Sequence, residues 1–316
     1  MMQNKIFYFF KRIKEMYFNK EKIIIVCASD ENYIIPLTTM LKSLEQNTTQ
    51  KKIIVYILEN NINPESKKNI LNSLNLKKMD LFFINVDTVL VKNLKISGHV
   101  SVVAYYRLLI PNLLPRNIKK VIYLDSDLII NTDINKLWNV PLKNKYLLAV
   151  QEQGKDLKYV SSKYGLLNYK ELNLNANDKY FNSGVLVINL KKWREENIGS
   201  EVIKYIQENE RYIRWWDQDG LNAVLANKWG ELDFRWNLLM QALDNLSWKD
   251  TPVKSKEEYN ALINHPFIIH FNTHAKPWYI DCNHIYKGLF FKYLDMTEWK
   301  DWRPEININK QKYLIH

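Results

Sequence analysis

The sequence predicts an α/β protein with a mostly parallel central sheet. Three observations carry that prediction. Short β-branched runs alternate with segments whose apolar residues recur at helical spacing, the strand runs are almost continuously hydrophobic, and several of them stop at small or acidic residues. Ile23-Ile24-Ile25-Val26-Cys27 reads as a buried strand ending in Ala28-Ser29-Asp30, and Leu37, Leu41 and Leu44 mark the helix after it. Ile53-Ile54-Val55-Tyr56-Ile57 repeats the strand signal. Asn63-Pro64 then supplies a cap and a first-turn proline for a second helix, and Leu81-Phe82-Phe83-Ile84 returns as a strand. Such a βαβαβ unit binds ligands beyond the carboxyl ends of its strands. Asp30 and Asp125 both fall at strand ends, so the two are expected to line one crevice.

The later elements continue the pattern. Val121-Ile122-Tyr123-Leu124 is a strand that turns at Asp125-Ser126-Asp127, and Leu128-Ile129-Ile130 resumes the apolar run. Val185-Leu186-Val187-Ile188 follows Phe181-Asn182-Ser183-Gly184, small residues that let a ligand come close, and leads into a helical Leu190-Lys191-Lys192-Trp193-Arg194. Asp217-Gln218-Asp219 stands before a helix-like stretch from Gly220 to Ala226, where an N-cap with an acidic first turn is the plain reading. Ile268-Ile269-His270-Phe271 is the last strand signal. The polar stretch from Tyr159 to Lys179 reads as a mobile loop over the site. The boundaries expected are an amphipathic N-terminal helix over 1–21, one α/β domain over 22–282 and a helical C-terminal appendage over 283–316.

Composition limits the function classes. A chain of 316 residues, 47% hydrophobic, can bury a sizeable core. Its two cysteines, Cys27 and Cys282, lie far apart and lack zinc-type spacing, which argues against a disulfide scaffold or a cysteine metal site and points to the cytosol. No stretch approaches the roughly 20 apolar residues of a spanning helix. A net charge of +11 with 19 Tyr and 10 Trp suits anionic partners: nucleotide phosphates, an anionic membrane surface or nucleic acid. From Ile6 to Tyr17 apolar residues recur at helical spacing beside Lys5, Lys11, Arg12 and Lys14, as in a helix lying in a membrane interface or packed on the domain.

The chemistry concentrates at Asp125-Ser126-Asp127. A bend at Ser126 turns both carboxylates toward one point, which gives a hard divalent cation oxygen ligands and leaves positions for phosphate oxygens. A solvated Asp-rich turn is the alternative, but apolar runs on both sides bury this one. His270 can supply a neutral nitrogen ligand to complete the site, and Lys276 can neutralise a phosphate.

Together these motifs resemble glycosyltransferase family 8, the retaining nucleotide-sugar-dependent enzymes. Ala28-Ser29-Asp30-Glu31-Asn32-Tyr33 is similar to the family's first nucleotide segment, Tyr105-Tyr106-Arg107-Leu108 to its arginine helix and Tyr123-Leu124-Asp125-Ser126-Asp127 to its metal motif. Phe181 to Val185, Asn189 to Arg194, Asp217-Gln218-Asp219 and His270 to Trp278 follow in family order, over roughly residues 22 to 282. Thr273 stands where many relatives carry glycine. The long basic C-terminal tail of membrane-bound relatives is short here, and the N-terminal helix is the expected substitute.

The resemblance implies a GT-A fold, Mn2+ or Mg2+ held by Asp125, Asp127 and His270, and transfer of glucose or galactose from a UDP-sugar with retention. It also assigns roles. Asp30, Asn32 and Tyr33 hold uridine, with Ala28, Ser126 and Thr273 beside the nucleotide and Lys276 on the diphosphate. Arg107, Asn182, Ser183 and Asp217 bond the sugar, and Gln218 faces the anomeric carbon. By weaker positional likeness His99 and Glu152 touch the acceptor. The implied partners are UDP-glucose or UDP-galactose and a saccharide or glycolipid acceptor of lipopolysaccharide or other cell-surface glycan, with no nucleic acid. The implied location is cytoplasmic, peripheral on the inner face of the membrane. Two other classes stay open at this point: a metal-dependent nucleotidyltransferase releasing pyrophosphate, and a non-catalytic glycan- or nucleic-acid-binding protein, which would leave the buried carboxylates unexplained.

Overall fold

The structure, a computed structural model, describes residues 22–49, 52–91, 93–94, 101–244, 247–273 and 276–304. The helix expected over 1–21 and the acceptor candidate His99 lie outside the described residues. The chain opens with β1 (Ile23–Asp30), α1 (Ile34–Asn47), β2 (Ile53–Asn60), α2 (Pro64–Ser73) and β3 (Met79–Asn85), the expected βαβαβ unit. Pro64 sits in the first turn of α2, and the side chain of Asn63 accepts from the Ser66 amide, so that helix starts where proline costs no hydrogen bond and an orphan amide finds a cap. β1 pairs in parallel with β2, and β2 with β3. Being β-branched on both faces, β1 feeds two cores: Val26 and Ala28 join one cluster, and Ile23, Ile25 and Cys27 join a second with Leu37, Leu41 and Leu44 of α1. Each isoleucine so buried stabilises the fold by roughly 1.5–3 kcal/mol.

The second half of the sheet departs from a purely parallel arrangement. β4 (Lys120–Leu124) runs parallel to β1, β5 (Leu128–Ile130) leaves for another sheet, and β6 (Leu147–Gln151) is followed by the long β7 (Phe181–Asn189). β7 inserts antiparallel between β4 and β6, and β8 (Gly230–Glu231) closes the order β3-β2-β1-β4-β7-β6-β8. Asn182, Ser183 and Gly184, expected before a strand, therefore lie inside one. β5, β9 (Leu238–Leu239) and β10 (Ile268–His270) form a small second sheet in the order β5-β10-β9.

Two helices pack behind the site. α3 (Ile198–Glu208) and α4 (Trp216–Leu225) place Val202, Ile206, Leu221 and Leu225 in the cluster that also holds Tyr105, Tyr106 and Trp193. α4 begins one residue before Asp217, so Asp217, Gln218 and Asp219 occupy its buried first turn, and no side chain caps it. The expected acidic first turn is thus present, while the expected N-cap is corrected: Trp215 holds that position. The stretch from Tyr159 to Lys179, expected to be loose, has its own cluster of Leu157, Val160, Leu166 and Tyr180 and a bridge between Tyr159 and Lys179. After α5 (Lys256–Asn264) and β10 comes α6 (Lys287–Leu294), whose Phe290, Tyr293 and Leu294 share a core with Ile129, Leu238 and Phe271. No helix among the described residues is long and apolar enough to cross a membrane.

Candidate active site

A cavity of about 1080 Å³ opens at the carboxyl ends of β1 and β4, and every described residue that the sequence singled out for nucleotide, sugar or metal borders it. The turn after β4 is anchored from both sides. The Asp125 amide donates to the carbonyl of Gly184 at 2.9 Å, and the Ser126 hydroxyl donates to the carbonyl of Ala28 at 2.7 Å, joining the ends of β7 and β1 to the carboxylate pair.

Topology, rather than sequence spacing, delivers the histidine. β10 pairs antiparallel with β5 so that His270 stands opposite Leu128, and the Phe271 amide donates to the carbonyl of Asp127 at 3.0 Å. Nε2 of His270 thus lies 3.2 Å from Oδ1 of Asp127 and 3.8 Å from Oδ2 of Asp125. Ligand atoms of Asp125, Asp127 and His270 all fall within 4.8 Å of one another. Two hard carboxylates and an imidazole suit a divalent cation. Gly184 leaves the required room: a Cβ there would sit 2.3 Å from Cε1 of His270 and 2.8 Å from Oδ2 of Asp125.

Cations balance the carboxylates. Lys276 donates to Oδ2 of Asp127 at 2.5 Å and to the carbonyl of Phe271. Burial alone would raise the Asp127 pKa, but Lys276 and His270 outweigh it and hold the carboxyl well below its usual range. Arg107, on a 3-10 helix spanning Val102–Leu109, is buried; its Nη2 reaches Oδ1 of Asp125 at 2.8 Å and its Nε lies 3.1 Å from Oδ2 of Asp217. Burial works against its charge, and the two aspartates more than restore it, raising its pKa. Asp217 responds differently. Burial pushes its carboxyl up against the pull of Arg107, and the nearby Asp125 adds to the rise, leaving it at about 6.

Beneath lies a polar floor. Gln218 accepts from the Ser183 amide at 2.9 Å and donates to Oε1 of Glu152 at 3.1 Å, which also accepts from Asn182 at 2.8 Å. Oε2 of Glu152 has no hydrogen-bond partner among the described residues, although the side chain is 3% exposed, and burial raises its pKa against the donors Asn182 and Gln218. At the other end Asp30 accepts from the Asn32 amide at 3.0 Å, and the Tyr33 ring meets Trp278 edge-on at 5.8 Å, with Thr273 also on the wall.

Several site residues received no role of their own from the sequence. Tyr123 donates to Oδ1 of Asp125 at 3.0 Å and carries the Arg107 guanidinium over its ring at 4.5 Å; its place two residues before Asp125, on the same face of the chain, was the available signal. Asn237, fully buried, bonds His270 at 3.0 Å, and nothing in its Phe-Arg-Trp-Asn context marks it. Tyr164, Trp215 and Trp216 form an aromatic wall, Trp216 at a left-handed φ of 47° that a bulky residue rarely adopts.

Comparisons agree with this architecture. General stress protein A of Bacillus subtilis is 33% identical over 294 residues, covering 91% of this chain and 99% of that protein. Glycosyltransferase GlyD of Streptococcus pneumoniae is 31% identical over 289 residues, covering 87% of this chain and 31% of its own length. Among solved structures, galactosyltransferase LgtC in complex with donor and acceptor sugar analogs shares the fold, with a TM-score of 0.75 at 24% identity over 87% of this chain and 96% of that one. The family model described as glycosyl transferase family 8 matches residues 24–282. With its GT-A-like sheet and this site at the strand ends, the chain belongs to glycosyltransferase family 8.

Proposed function

We propose that this glycosyltransferase moves a hexose, glucose or galactose, from a UDP-sugar to a saccharide or glycolipid acceptor, with retention at the anomeric carbon and with Mn2+ or Mg2+ held by Asp125, Asp127 and His270. The observation that carries the reading is the convergence of those three side chains beside Lys276, directly above the buried Arg107, Asp217 and Gln218. When bound, the cation supplies positive charge against the diphosphate of the donor and the departing UDP. Lys276 adds a second positive charge. Tyr33 stacks on uracil while Asp30 and Asn32 hold the ribose, and Arg107, Asn182, Ser183 and Asp217 bond the hexose hydroxyls.

Gln218 is a poor nucleophile, and its amide oxygen already accepts from Ser183. Front-face substitution is therefore the mechanism proposed: the bond from the anomeric carbon to the phosphate oxygen breaks, the acceptor oxygen bonds from the same face, and the acceptor's proton passes to the leaving phosphate. Glu152, with an oxygen left over, and the Tyr164, Trp215 and Trp216 wall face the acceptor sugar, whose apolar ring face suits aromatic side chains. Cell-surface glycan synthesis is the proposed setting, on the cytoplasmic side of the membrane. The basic chain and the stretch from Ile6 to Tyr17 support attachment to anionic lipid.

The test is a panel of UDP-sugars with Mn2+ and no acceptor, scored for UDP release. Slow hydrolysis of UDP-glucose or UDP-galactose, lost on Asp125→Ala or Asp127→Ala by roughly 100-fold, is expected. Release with no UDP-hexose, or turnover that survives both substitutions, would refute the reading.

A further inference from the structure

We infer that Asn237 is a positioning residue that fixes which nitrogen of His270 carries the proton, at the end of a relay that starts from Glu152 and Gly184. The inference rests on the proposed metal role of His270 and concerns this chain's own hydrogen bonds.

The relay has a direction that its end groups dictate. Oδ1 of Asn182 accepts from the Gly184 amide at 2.9 Å, and a backbone N–H can only donate, so the accepting end of Asn182 is fixed. Its Nδ2 donates to Oε1 of Glu152 at 2.8 Å. Oδ1 of Asn182 also faces a nitrogen of Asn237 at 2.8 Å; that atom must be the donating Nδ2, which turns Oδ1 of Asn237 toward His270. Oδ1 of Asn237 stands 3.0 Å from Nδ1 of His270, and an amide oxygen only accepts. Nδ1 therefore keeps a proton, and Nε2, which faces Asp127 and Asp125, is the nitrogen left to give up its proton where a metal binds. A metal-ligating histidine needs this tautomer, and the partner of its other nitrogen normally enforces it.

Burial makes the arrangement hard to bypass. Asn182, Asn237, Glu152 and His270 are all buried, so no bulk water replaces a lost partner. Gln153 braces Asn237 from behind, donating to its carbonyl at 2.7 Å and accepting from the Leu239 amide at 3.1 Å. The turn that presents Asn237 is thus tied down independently of its side chain.

The test reads the tautomer and the metal, not turnover. Long-range proton–nitrogen NMR of the metal-free protein with labelled histidine should show a proton on Nδ1 of His270 in the wild type and its loss in Asn237→Leu, where the remaining proton sits on Nε2 toward Asp127. Mn2+ alone, titrated and followed by the resonance of the free ion, should bind Asn237→Leu about 10- to 100-fold more weakly. Asn237→Asp loses the donor to Asn182 but keeps an accepting oxygen opposite Nδ1, so it should keep the proton on Nδ1 that Asn237→Leu loses. A wild-type His270 without a proton on Nδ1, or an Asn237→Leu protein of unchanged Mn2+ affinity, would overturn the inference. Absence of Mn2+ binding by the wild type would instead remove the metal reading, and the NMR measurement would still decide the relay.

Discussion

Gly184 is the narrowest point of the site, because its missing side chain is the space in which His270 and Asp125 meet. In Gly184→Ala a methyl group would lie 2.3 Å from the imidazole and 2.8 Å from the carboxylate, far inside van der Waals contact, so at least one proposed ligand must move. Loss of one ligand from a site of three is expected to reduce UDP release at least about 100-fold, while the protein stays folded by circular dichroism. Near wild-type release would mean that the ligand geometry tolerates displacement, against the assignment. Gln218 gives the second prediction at this scale. Its amide is held between the Ser183 amide and Glu152, and on the proposed front-face mechanism Gln218→Ala should lose roughly 10- to 100-fold in transfer, about 1.4 to 3 kcal/mol. Abolition to background, or a hexose adduct on the wild-type side chain in intact-protein mass spectra, would instead make it a nucleophile.

Among the elements, strands with strong local patterning were legible in the sequence, and those that depend on long-range partners were not. β1, β2, β3 and β4 announce themselves through unbroken apolar runs, and the turn at Asp125 follows from where the fourth run stops. The insertion of β7 antiparallel to β4 leaves no mark on the sequence, since a strand buried on both faces reads the same in either direction. The pairing of β5 with β10 is equally silent, yet it is what carries His270 to Asp127 from 143 positions along the chain, by the difference of their residue numbers. Asp219 is a further case: what reads as an acidic cap is a buried carboxylate that accepts from the amides of Arg214 and Trp215 and from Tyr180, fixing the bend that carries Trp216.

His284 shows the same dependence in the segment before α6. Its ring packs on Phe271 at 4.7 Å and its Nδ1 accepts from the Tyr286 amide at 3.0 Å; burial lowers its pKa from 6.5 to about 4. Between those values the unfolded chain binds a proton that the folded one refuses. Stability is therefore complete above pH 6.5 and is lost as pH falls toward 4. His284→Asn keeps an acceptor for Tyr286 without titrating, so its Tm should fall less than that of the wild type between pH 7 and 5. Parallel pH profiles for the two proteins would assign the acid sensitivity elsewhere.

The whole molecule sets two electrostatic scales against each other. The chain carries a net charge of +11, which draws an anionic nucleotide from a distance. The cavity has the opposite balance, because seven carboxylate side chains, Asp125, Asp127, Asp217 and Glu152 among them, outnumber the three cations Arg107, Lys155 and Lys276 along its wall. A diphosphate entering that wall without a cation adds like charge in a setting where water screens poorly. On the proposed function, divalent metal and UDP should accordingly favour each other's binding, and linkage makes the effect reciprocal. Thermal unfolding offers a reading that needs neither acceptor nor turnover. UDP with EDTA should raise Tm little, Mn2+ alone modestly, and the two together by more than the sum, since a ligand at 100 times its Kd stabilises by about 2.7 kcal/mol. In Asp127→Ala the excess over the sum should vanish. Added salt should weaken UDP binding by screening the long-range attraction, and should leave the metal requirement in place, because that arises among half-buried groups in contact. A Tm rise from UDP that is equal with and without Mn2+ would place the nucleotide away from the carboxylate pair.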